Sequence, residues 1–360
     1  MSSLPYTIDV NICEKSKSYP IVINRDELSS LKEQIFKHIR GKKYLVVVSQ
    51  KVESIYGKIL GFGKENKFVL KDGEEEKNFS NYKKILDKAL NLGLTRKDTI
   101  IAIGGGVVGD LAGFAAATYM RGIDLIQVPT TLLACVDSSV GGKVGINTDY
   151  GKNLVGDFHQ PKAVLINTNF LTTLDEKQFK TGLGEVVKYG LIEKSCHYDE
   201  DQNLVNFLNE NIEKINAKDT KILAKLVRIC VNLKVSVVQK DEQEGGLRQI
   251  LNFGHTLGHA IEKETKYKKF THGESIVEGM KYAFDLAFKK GLIDKNYKFF
   301  ADDFIKKFEF KEIPKFPMHK LVQHMKMDKK ASAEAIVFVL PVDYLKVEIF
   351  DVKPDELMDD

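Results

Sequence analysis

The segment DTIIAIGGGVVGDLAGFAAATYM, residues 98–120, restricts the possible folds of this chain more than any other stretch. A β-rich run leads directly into a glycine-rich turn and then into a helical segment. Gly104, Gly106 and Gly109 satisfy the pattern GxGxxG, whose glycines let the backbone approach a pyrophosphate at a helix N-terminus. A close crossing of strand and helix would need similar glycines, so both interpretations stay open on this motif alone.

The context of this motif differs from that of an ordinary dinucleotide-binding dehydrogenase. The acidic residue expected about 20 positions later should end the next strand, but Asp124 lies at the start of that strand. The glycine-loop strand is also not the first of its sheet. We therefore predict a phosphate-binding loop in an α/β domain.

The first half of the chain alternates strand and helix patterns, whereas the second half is mainly helical. Strands are predicted at 7–12, 19–24, 43–49, 67–71, 98–103, 124–129 and 163–167, with helices at 26–40 and 81–94 among others. Helical periodicity follows at 173–195, 199–215, 218–241, 252–265 and 272–290, and strands return at 335–341 and 346–350. Such alternation predicts βαβ units. We expect an α/β domain with a Rossmann-like parallel sheet at 1–174 and a mainly α-helical domain at 175–360.

The composition excludes several classes of function. A net charge of +4 on 104 charged side chains gives no reason to invoke nucleic acid. The four cysteines, Cys13, Cys135, Cys196 and Cys230, show no CxxC spacing and fit a reducing cytosol. The N-terminus lacks a signal-peptide pattern, and no apolar run approaches 18 residues, so we expect a cytoplasmic protein without membrane contact.

A second glycine-rich segment, residues 128–156, contains four polar residues suited to an anionic ligand. These are Asp137, Lys143, Lys152 and Asn153. Lysines on glycine-rich backbone can approach the oxygens of a phosphorylated or carboxylated substrate closely. A flexible surface loop is the alternative interpretation.

Three of the eight histidines, His255, His259 and His272, lie within residues 252–274. Burial in a core, a pH-sensitive surface and metal ligation all remain possible. His255 and His259 are spaced to share one helix face, but no HExxH glutamate lies between them. Glu185 and Lys188 lie three residues apart in an apolar, glycine-rich helix. Glu185 with two of the imidazoles would suit zinc with open positions for substrate oxygens.

Seven motifs, in this order along almost the whole chain, resemble those of the 3-dehydroquinate synthase family of sugar phosphate cyclases. They are GGGVVGDLAGFAAATYMRG, VPTTLLACVDSSVGGKVGIN, GKNLVGDFHQP, GEVVKYGLI, LNFGHTLGHAIE, HGE and MDKK. The resemblance implies that Glu185, His255 and His272 ligate one divalent metal, zinc or alternatively cobalt, in a metal-binding C-terminal domain. His259 then corresponds to an active-site histidine near the substrate phosphate.

The resemblance also implies the residues that bind substrate. The residues facing the ring hydroxyls are Asp137, Lys188 and Lys234. The substrate carboxylate is bound by Lys234 and Arg248. The phosphate is bound by Lys143, Asn153 and Asn252, with Lys152 lining the same cleft. Either Lys329 or Lys330 of MDKK would close the phosphate site. Arg121 would reach the neighbouring site of a homodimer.

NAD binding is implied for a further set of residues. They are Glu74, Lys77, Gly104, Gly105, Gly106, Gly109, Asp110, Thr130 and Thr131, together with Asp137, Lys143 and Lys152. Two positions depart from the family pattern. Ser49 stands where an acidic residue is frequent, and Cys135 stands where glutamine is frequent.

The implied activity is that of a phosphate-eliminating lyase. It converts 3-deoxy-D-arabino-heptulosonate 7-phosphate to 3-dehydroquinate and phosphate in the shikimate pathway. The implied steps are transient oxidation by NAD, β-elimination of phosphate, re-reduction, ring opening and aldol closure. A metal-dependent polyol or glycerol-phosphate dehydrogenase is the main rival, because it would share NAD and a metal but would release NADH. A non-catalytic paralogue would have lost metal ligands that this chain retains.

Overall fold

A computed structural model describes residues 18–196, 203–326 and 335–358. The predicted strand at 7–12 and the lysines Lys329 and Lys330 lie outside these residues. The strands are β1 Ile21–Asn24, β2 Tyr44–Ser49, β3 Lys67–Leu70, β4 Thr99–Gly104, β5 Asp124–Pro129, β6 Lys143–Thr148, β7 Gly151–Phe158, β8 Ala163–Asn167, β9 Ile336–Asp343 and β10 Lys346–Val352. The helices are α1 Leu31–Phe36, α2 Gln50–Leu60, α3 Phe79–Asn91, α4 Gly106–Thr118, α5 Glu176–Ile192, α6 Leu204–Asn216, α7 Thr220–Val238, α8 His255–Glu264, α9 His272–Lys289, α10 Lys295–Lys306 and α11 Met318–Lys326.

The first half forms a six-stranded sheet in the order β1-β8-β5-β4-β2-β3, and every described pairing within it is parallel. β4 is buried along its whole length, as expected for a strand covered on both faces. Side chains alternate between two cores: Leu45 and Val47 belong to one, and Val46 and Val48 to the other. The predicted parallel α/β sheet is confirmed.

The segment after β5 does not form the loop that its glycines suggest. A single π-helical turn, Ala134–Ser138, is followed by the antiparallel hairpin of β6 and β7. Gly145 pairs with Gly156, and a Cβ on Gly156 would lie 2.2 Å from the carbonyl oxygen of Val144. Glycines in strands hide the usual strand pattern because they have low β propensity. The hairpin therefore could not be recognised from composition.

The second half is mainly helical, as expected, and the strands expected near its end, β9 and β10, pair antiparallel in a separate sheet. The prediction of one long helix at 26–40 is wrong in extent, because α1 has only six residues and follows a short 3₁₀ turn. Helices α2, α10 and α11 were not predicted individually. Within the described residues, none of the helices combines the length and the apolar character needed to span a bilayer.

Glycines allow helix α5 to pack unusually close to α9. A Cβ on Gly184 would lie 2.6 Å from the Cα of Gly273, and one on Gly273 would lie 2.4 Å from the carbonyl oxygen of Thr181. Glu185 follows the first glycine, and His272 precedes the second. The close contact between the helices therefore brings these two polar residues together.

Candidate active site

A cleft of about 1350 Å³ opens at the carboxyl ends of the sheet strands, and both halves of the chain line it. From the predicted substrate and metal sets, the lining includes Asp137, Lys143, Lys152, Asn153, Glu185, Lys188, Lys234, Arg248, Asn252, His255, His259 and His272. From the predicted cofactor set, it includes Glu74, Lys77, Gly105, Gly106, Asp110, Thr130 and Thr131. Residues far apart in sequence thus surround one cavity, as a ligand site requires.

Three of the predicted residues do not line this cleft. A Cβ on Gly104 would lie 2.6 Å from Val108, and one on Gly109 would lie 2.9 Å from the side chain of Gln127. These two glycines allow close packing of strand and helix, which was the alternative interpretation of the motif. Arg121 is exposed, with a left-handed φ of 64°, on the turn after α4. Its assignment to a neighbouring subunit's site remains a prediction.

Glu185, His255 and His272 place one ligand atom each within 4.8 Å of one another. Glu185 Oε1 lies 3.3 Å from His255 Nε2 and 3.2 Å from His272 Nε2. Two ligands on a tetrahedral zinc with bonds of about 2.0–2.1 Å would lie about 3.3 Å apart. The donor types and these separations therefore fit a divalent metal.

Local structure fixes both imidazoles. His255 is the first residue of α8, and its Nδ1 lies 3.0 Å from the carbonyl oxygen of Phe253, which holds the tautomer with a free Nε2. His272 is the first residue of α9. A capping box between Thr271 and Glu274 fixes the start of that helix. Both Nε2 atoms consequently face Glu185.

Glu262 was not predicted as a site residue. Its side chain is buried, with Oε2 3.2 Å from His272 Nδ1 and Oε1 3.1 Å from Lys152 Nζ. Burial favours the protonated carboxyl, but His272 and Lys152 outweigh it and lower the pKa of Glu262. The helical spacing from His255 and His259 was the sequence signal that could have identified it.

Asp137 lies between two lysines beside the metal-ligand cluster. Its Oδ1 is 2.9 Å from Lys234 Nζ and 3.9 Å from Lys188 Nζ, and it accepts a hydrogen bond of 2.6 Å from the hydroxyl of Tyr189. Burial favours the protonated acid, but Lys234 and Lys188 lower the pKa of Asp137 to about 2. Lys188 also forms a buried ion pair with Glu185. These groups place both charge signs where ring hydroxyls could be held.

A second acidic residue missed in the sequence, Glu244, contacts two of the predicted phosphate ligands. Its carboxylate pairs with Lys143 and accepts a hydrogen bond of 2.7 Å from Asn252 Nδ2. Lys143 belongs to the β6–β7 hairpin, and Asn252 to the helical half. The two donors therefore converge on one anionic group, which is the arrangement that a phosphate would need.

Arg248 is almost fully buried at the wall of the cleft. Its guanidinium donates to the carbonyl oxygens of Glu242 and of Gly141, the latter at 3.0 Å. Asp241 Oδ2 accepts from the backbone N–H of Arg248 at 3.0 Å. These contacts hold the planar donor group in one orientation.

The glycine loop after β4 forms the cofactor side of the cleft. A Cβ on Gly105 would lie 3.0 Å from Thr131, and one on Gly106 would lie 3.2 Å from Ser138. Buried Lys77 pairs with Asp110 in the first turns of α4. The loop and helix N-terminus can thus present N–H groups to a pyrophosphate.

The two departures from the family pattern have different environments. Ser49 lines the cleft, and its hydroxyl accepts from Val52 N at 3.2 Å, which caps α2. Cys135 is fully buried outside the cleft lining, and burial raises the pKa of its thiol.

A glycine loop at a helix N-terminus and a carboxylate–imidazole cluster that could hold a metal ion line the same cleft, a combination typical of metal-dependent α/β enzymes that use a nucleotide cofactor. Residues 67–181 match the family model for the 3-dehydroquinate synthase N-terminal region, and residues 182–331 match that for the C-terminal region. The chain belongs to the 3-dehydroquinate synthase family.

Relatives support this membership over nearly full length. The 3-dehydroquinate synthase of Alkaliphilus metalliredigens is 42% identical over 97% of this chain and 96% of the relative. That of a Thermoanaerobacter species is 42% identical over 98% of both chains. A solved structure of 2-deoxy-scyllo-inosose synthase, complexed with carbaglucose-6-phosphate, NAD+ and Co2+, matches with a TM-score of 0.83. It is 28% identical and covers 94% of this chain and 95% of its own.

Two more distant structures show the fold alone. The 2-epi-5-epi-valiolone synthase from Streptomyces hygroscopicus, with NAD+ and Zn2+ bound, has a TM-score of 0.83 at 23% identity and covers 97% of both chains. An iron-containing alcohol dehydrogenase from Thermotoga maritima has a TM-score of 0.69 at 14% identity, covering 97% of this chain and 98% of its own.

Proposed function

We propose that this cleft carries out the complete 3-dehydroquinate synthase reaction through the residues assigned below. The enzyme converts 3-deoxy-D-arabino-heptulosonate 7-phosphate to 3-dehydroquinate and phosphate, a step of the shikimate pathway. It uses NAD and one divalent metal, as supported by the metal-capable side chains and by the related structure that holds NAD+ and Co2+. The observation that carries the residue assignment is the convergence of Glu185, His255 and His272 beside the lysines and Arg248. For the metal we propose zinc, with cobalt as the alternative, since both suit this donor set.

When bound, NAD supplies a transient hydride acceptor and the metal makes the substrate hydroxyls more acidic. Lys188, Asp137 and Lys234 hold those hydroxyls in one orientation. Because Lys188 pairs with Glu185, it keeps the ring beside the metal ligands. Orientation of this kind is a large part of what a protein contributes to such a reaction.

The phosphate end is assigned to Lys143, Asn153 and Asn252, with Lys152 beside them. Support comes from Glu244, whose carboxylate already joins Lys143 to Asn252 as an anion would. His259 lines the same cleft, with its ring centroid 6.0 Å from that of His272. We assign it to proton transfer near the departing phosphate.

The carboxylate end is assigned to Arg248 and Lys234. A fixed guanidinium suits a planar carboxylate better than an ammonium group does. Lys234 stands between this end and Asp137. A carboxylated sugar phosphate is thus the substrate class that the charges favour.

Three further assignments belong to this proposal. The chain forms a homodimer in which Arg121 reaches the neighbouring site, and the domain boundary lies at residues 174/175. The protein works in the cytoplasm, which agrees with Cys135, Cys196 and Cys230 being free thiols.

The test follows phosphate and NADH in the same reaction with the 7-phospho heptulosonate as substrate. Phosphate should accumulate over many turnovers with NAD present only in trace amounts, and the NADH absorbance should not rise. Stoichiometric NADH per phosphate, or NADH without phosphate, would instead identify a dehydrogenase.

A further inference from the structure

Glu262 joins two parts of the cleft that the proposed function treats separately. Its two carboxylate oxygens contact different partners, His272 Nδ1 at 3.2 Å and Lys152 Nζ at 3.1 Å. His272 and Glu262 lie on helices of the second half, whereas Lys152 lies on β7 of the first half. Glu262 therefore links the metal-ligand cluster on one side of the cleft to the β6–β7 hairpin on the other.

The geometry at His272 fixes which ring nitrogen is available to a metal. If Nδ1 carries the proton and donates it to Glu262 Oε2, Nε2 keeps a lone pair facing Glu185 at 3.2 Å. A carboxylate behind a metal-bound imidazole both orients the ring and raises its basicity. The Glu262 side chain is only 5% exposed, so water does not compete effectively for this contact.

The second oxygen of Glu262 holds a lysine that is also confined by an aromatic ring. Lys152 Nζ lies 4.0 Å from the centroid of Tyr267. Lys266 and Tyr267 adopt left-handed φ angles of 53° and 58°, which turn the loop between α8 and α9 at this point. The ammonium is therefore held between a carboxylate and an aromatic face.

We propose that Glu262 is a positioning residue that orients the metal ligand His272 through one carboxylate oxygen and holds Lys152 at the phosphate end of the cleft through the other. This inference rests on the proposed metal ligation. Glutamine cannot satisfy both contacts, because its single amide oxygen can face His272 or Lys152 but not both. The amide nitrogen would then point either at the lysine ammonium or at Nδ1, where it would favour the wrong histidine tautomer.

The test measures the zinc dissociation constant of the full chain by competition with a chromophoric chelator. Glu262→Gln should raise that constant by roughly 10–100-fold. Lys152→Met removes only the hairpin contact and should leave zinc binding unchanged. At saturating zinc, both variants should raise KM for the sugar phosphate.

Glu264→Gln is the matched control. Glu264 lies on the same helix, but its carboxylate contacts His324 at 2.9 Å and Lys320 at 3.7 Å. The zinc dissociation constant of the Glu264→Gln variant should equal that of the wild type. Circular dichroism establishes that each variant is folded.

The outcomes separate this inference from the proposed function. A second group, His259, Glu262 and His272, also brings ligand atoms within 4.8 Å of one another. If His259→Ala loses zinc while His255→Ala keeps it, the proposed ligand set is wrong and Glu262 belongs to the metal site itself. If His255→Ala loses zinc but Glu262→Gln binds it as tightly as the wild type, only the role of Glu262 is overturned, and the residue is a structural ion pair. Should Glu262→Gln not fold, histidine nitrogen NMR of the zinc-loaded wild type decides: protonated Nδ1 on His272 supports the proposal, and metal-bound Nδ1 refutes it.

Discussion

Asp137 Oδ1 lies 2.9 Å from Lys234 Nζ, although the two residues come from opposite halves of the chain. The same ammonium donates to the backbone carbonyl oxygen of Asp137 at 2.7 Å. Asp137 lies in the π-helical turn after β5, and Lys234 lies near the end of α7. A single lysine thus fixes the loop of one half against a helix of the other, directly beside the metal-ligand cluster.

This relationship predicts the alkaline limit of activity. Burial lowers the pKa of Lys234 from 10.5 to about 8, although Asp137 opposes the shift. Because the protonated lysine is assigned to substrate binding, kcat/KM should fall as pH rises through about 8. A pH profile of kcat/KM measures this, with Lys234→Met as the comparison. Lys234→Met should have a low kcat/KM that shows no fall through about pH 8. If the variant shows the same fall as the wild type, another group causes it.

The lowered pKa of Lys234 also determines how the free energy of unfolding changes with pH. Between about 8 and 10.5 the unfolded chain keeps the proton on Lys234 while the folded chain loses it. The contribution of this group to the free energy of unfolding therefore rises with pH through that window. Chemical denaturation should show that, between about pH 8 and 10.5, the free energy of unfolding rises more with pH in the wild type than in Lys234→Met.

Metal content tests the choice among the three histidines. Purified protein should hold about one divalent ion per chain, and His272→Ala should lose it. His259→Ala should retain the metal and His255→Ala should lose it, because Glu185 Oε1 lies 3.3 Å from His255 Nε2 and 3.2 Å from His272 Nε2. His259 is the alternative, since its ligand atom also groups with those of Glu262 and His272. Elemental analysis of the variants gives the answer. Metal lost from His259→Ala but kept by His255→Ala or by His272→Ala would contradict the assignment.

The fold was largely predictable because local patterns decided it. Buried apolar runs such as those of β4 and β5 are typical of parallel strands, and long 3.6-residue periodicity is typical of helices. The strand order and the β6–β7 hairpin were not predictable. Both depend on which surfaces meet in three dimensions, and the Gly145–Gly156 pair of the hairpin carries no local strand preference.

The site was predictable in its residue types more than in its contacts. Helical spacing places His255 and His259 on one face, but only the packing of α5 against α9 decides which imidazoles reach Glu185. Glu262 and Glu244 were missed because a carboxylate in a charged stretch of sequence usually indicates a solvated surface. Each role depends on a lysine from the other side of the cleft: Lys152 is 110 residues from Glu262, and Lys143 is 101 residues from Glu244.

Arg248→Lys tests the carboxylate end. Lysine keeps the charge but loses the planar pair of donors and the contact with the carbonyl oxygen of Gly141. We expect kcat/KM to fall by more than tenfold, about 1.4 kcal/mol of transition-state stabilisation. A substrate analogue without the carboxylate should show a much smaller difference between wild type and variant. Near-normal kinetics with the carboxylated substrate would remove Arg248 from the site.

The last prediction concerns the glycine contact that brings the metal ligands together. In Gly184→Ala, the new methyl group would lie 2.6 Å from the Cα of Gly273, where backbone cannot yield without moving a helix. The shift would separate Glu185 from His272. We expect zinc affinity to fall by roughly tenfold or more, and the free energy of unfolding to fall by about 1–3 kcal/mol.

Gly190→Ala on the same helix is the matched control for this change. A Cβ there would lie 3.5 Å from the ring of Phe304, an ordinary contact distance. Alanine also favours the helix by roughly 0.5–1 kcal/mol over glycine. This variant should therefore keep its zinc affinity and lose no stability. Chelator competition and chemical denaturation of the two variants measure both quantities. Equal zinc affinity in Gly184→Ala and Gly190→Ala would show that the helix contact does not set the metal geometry.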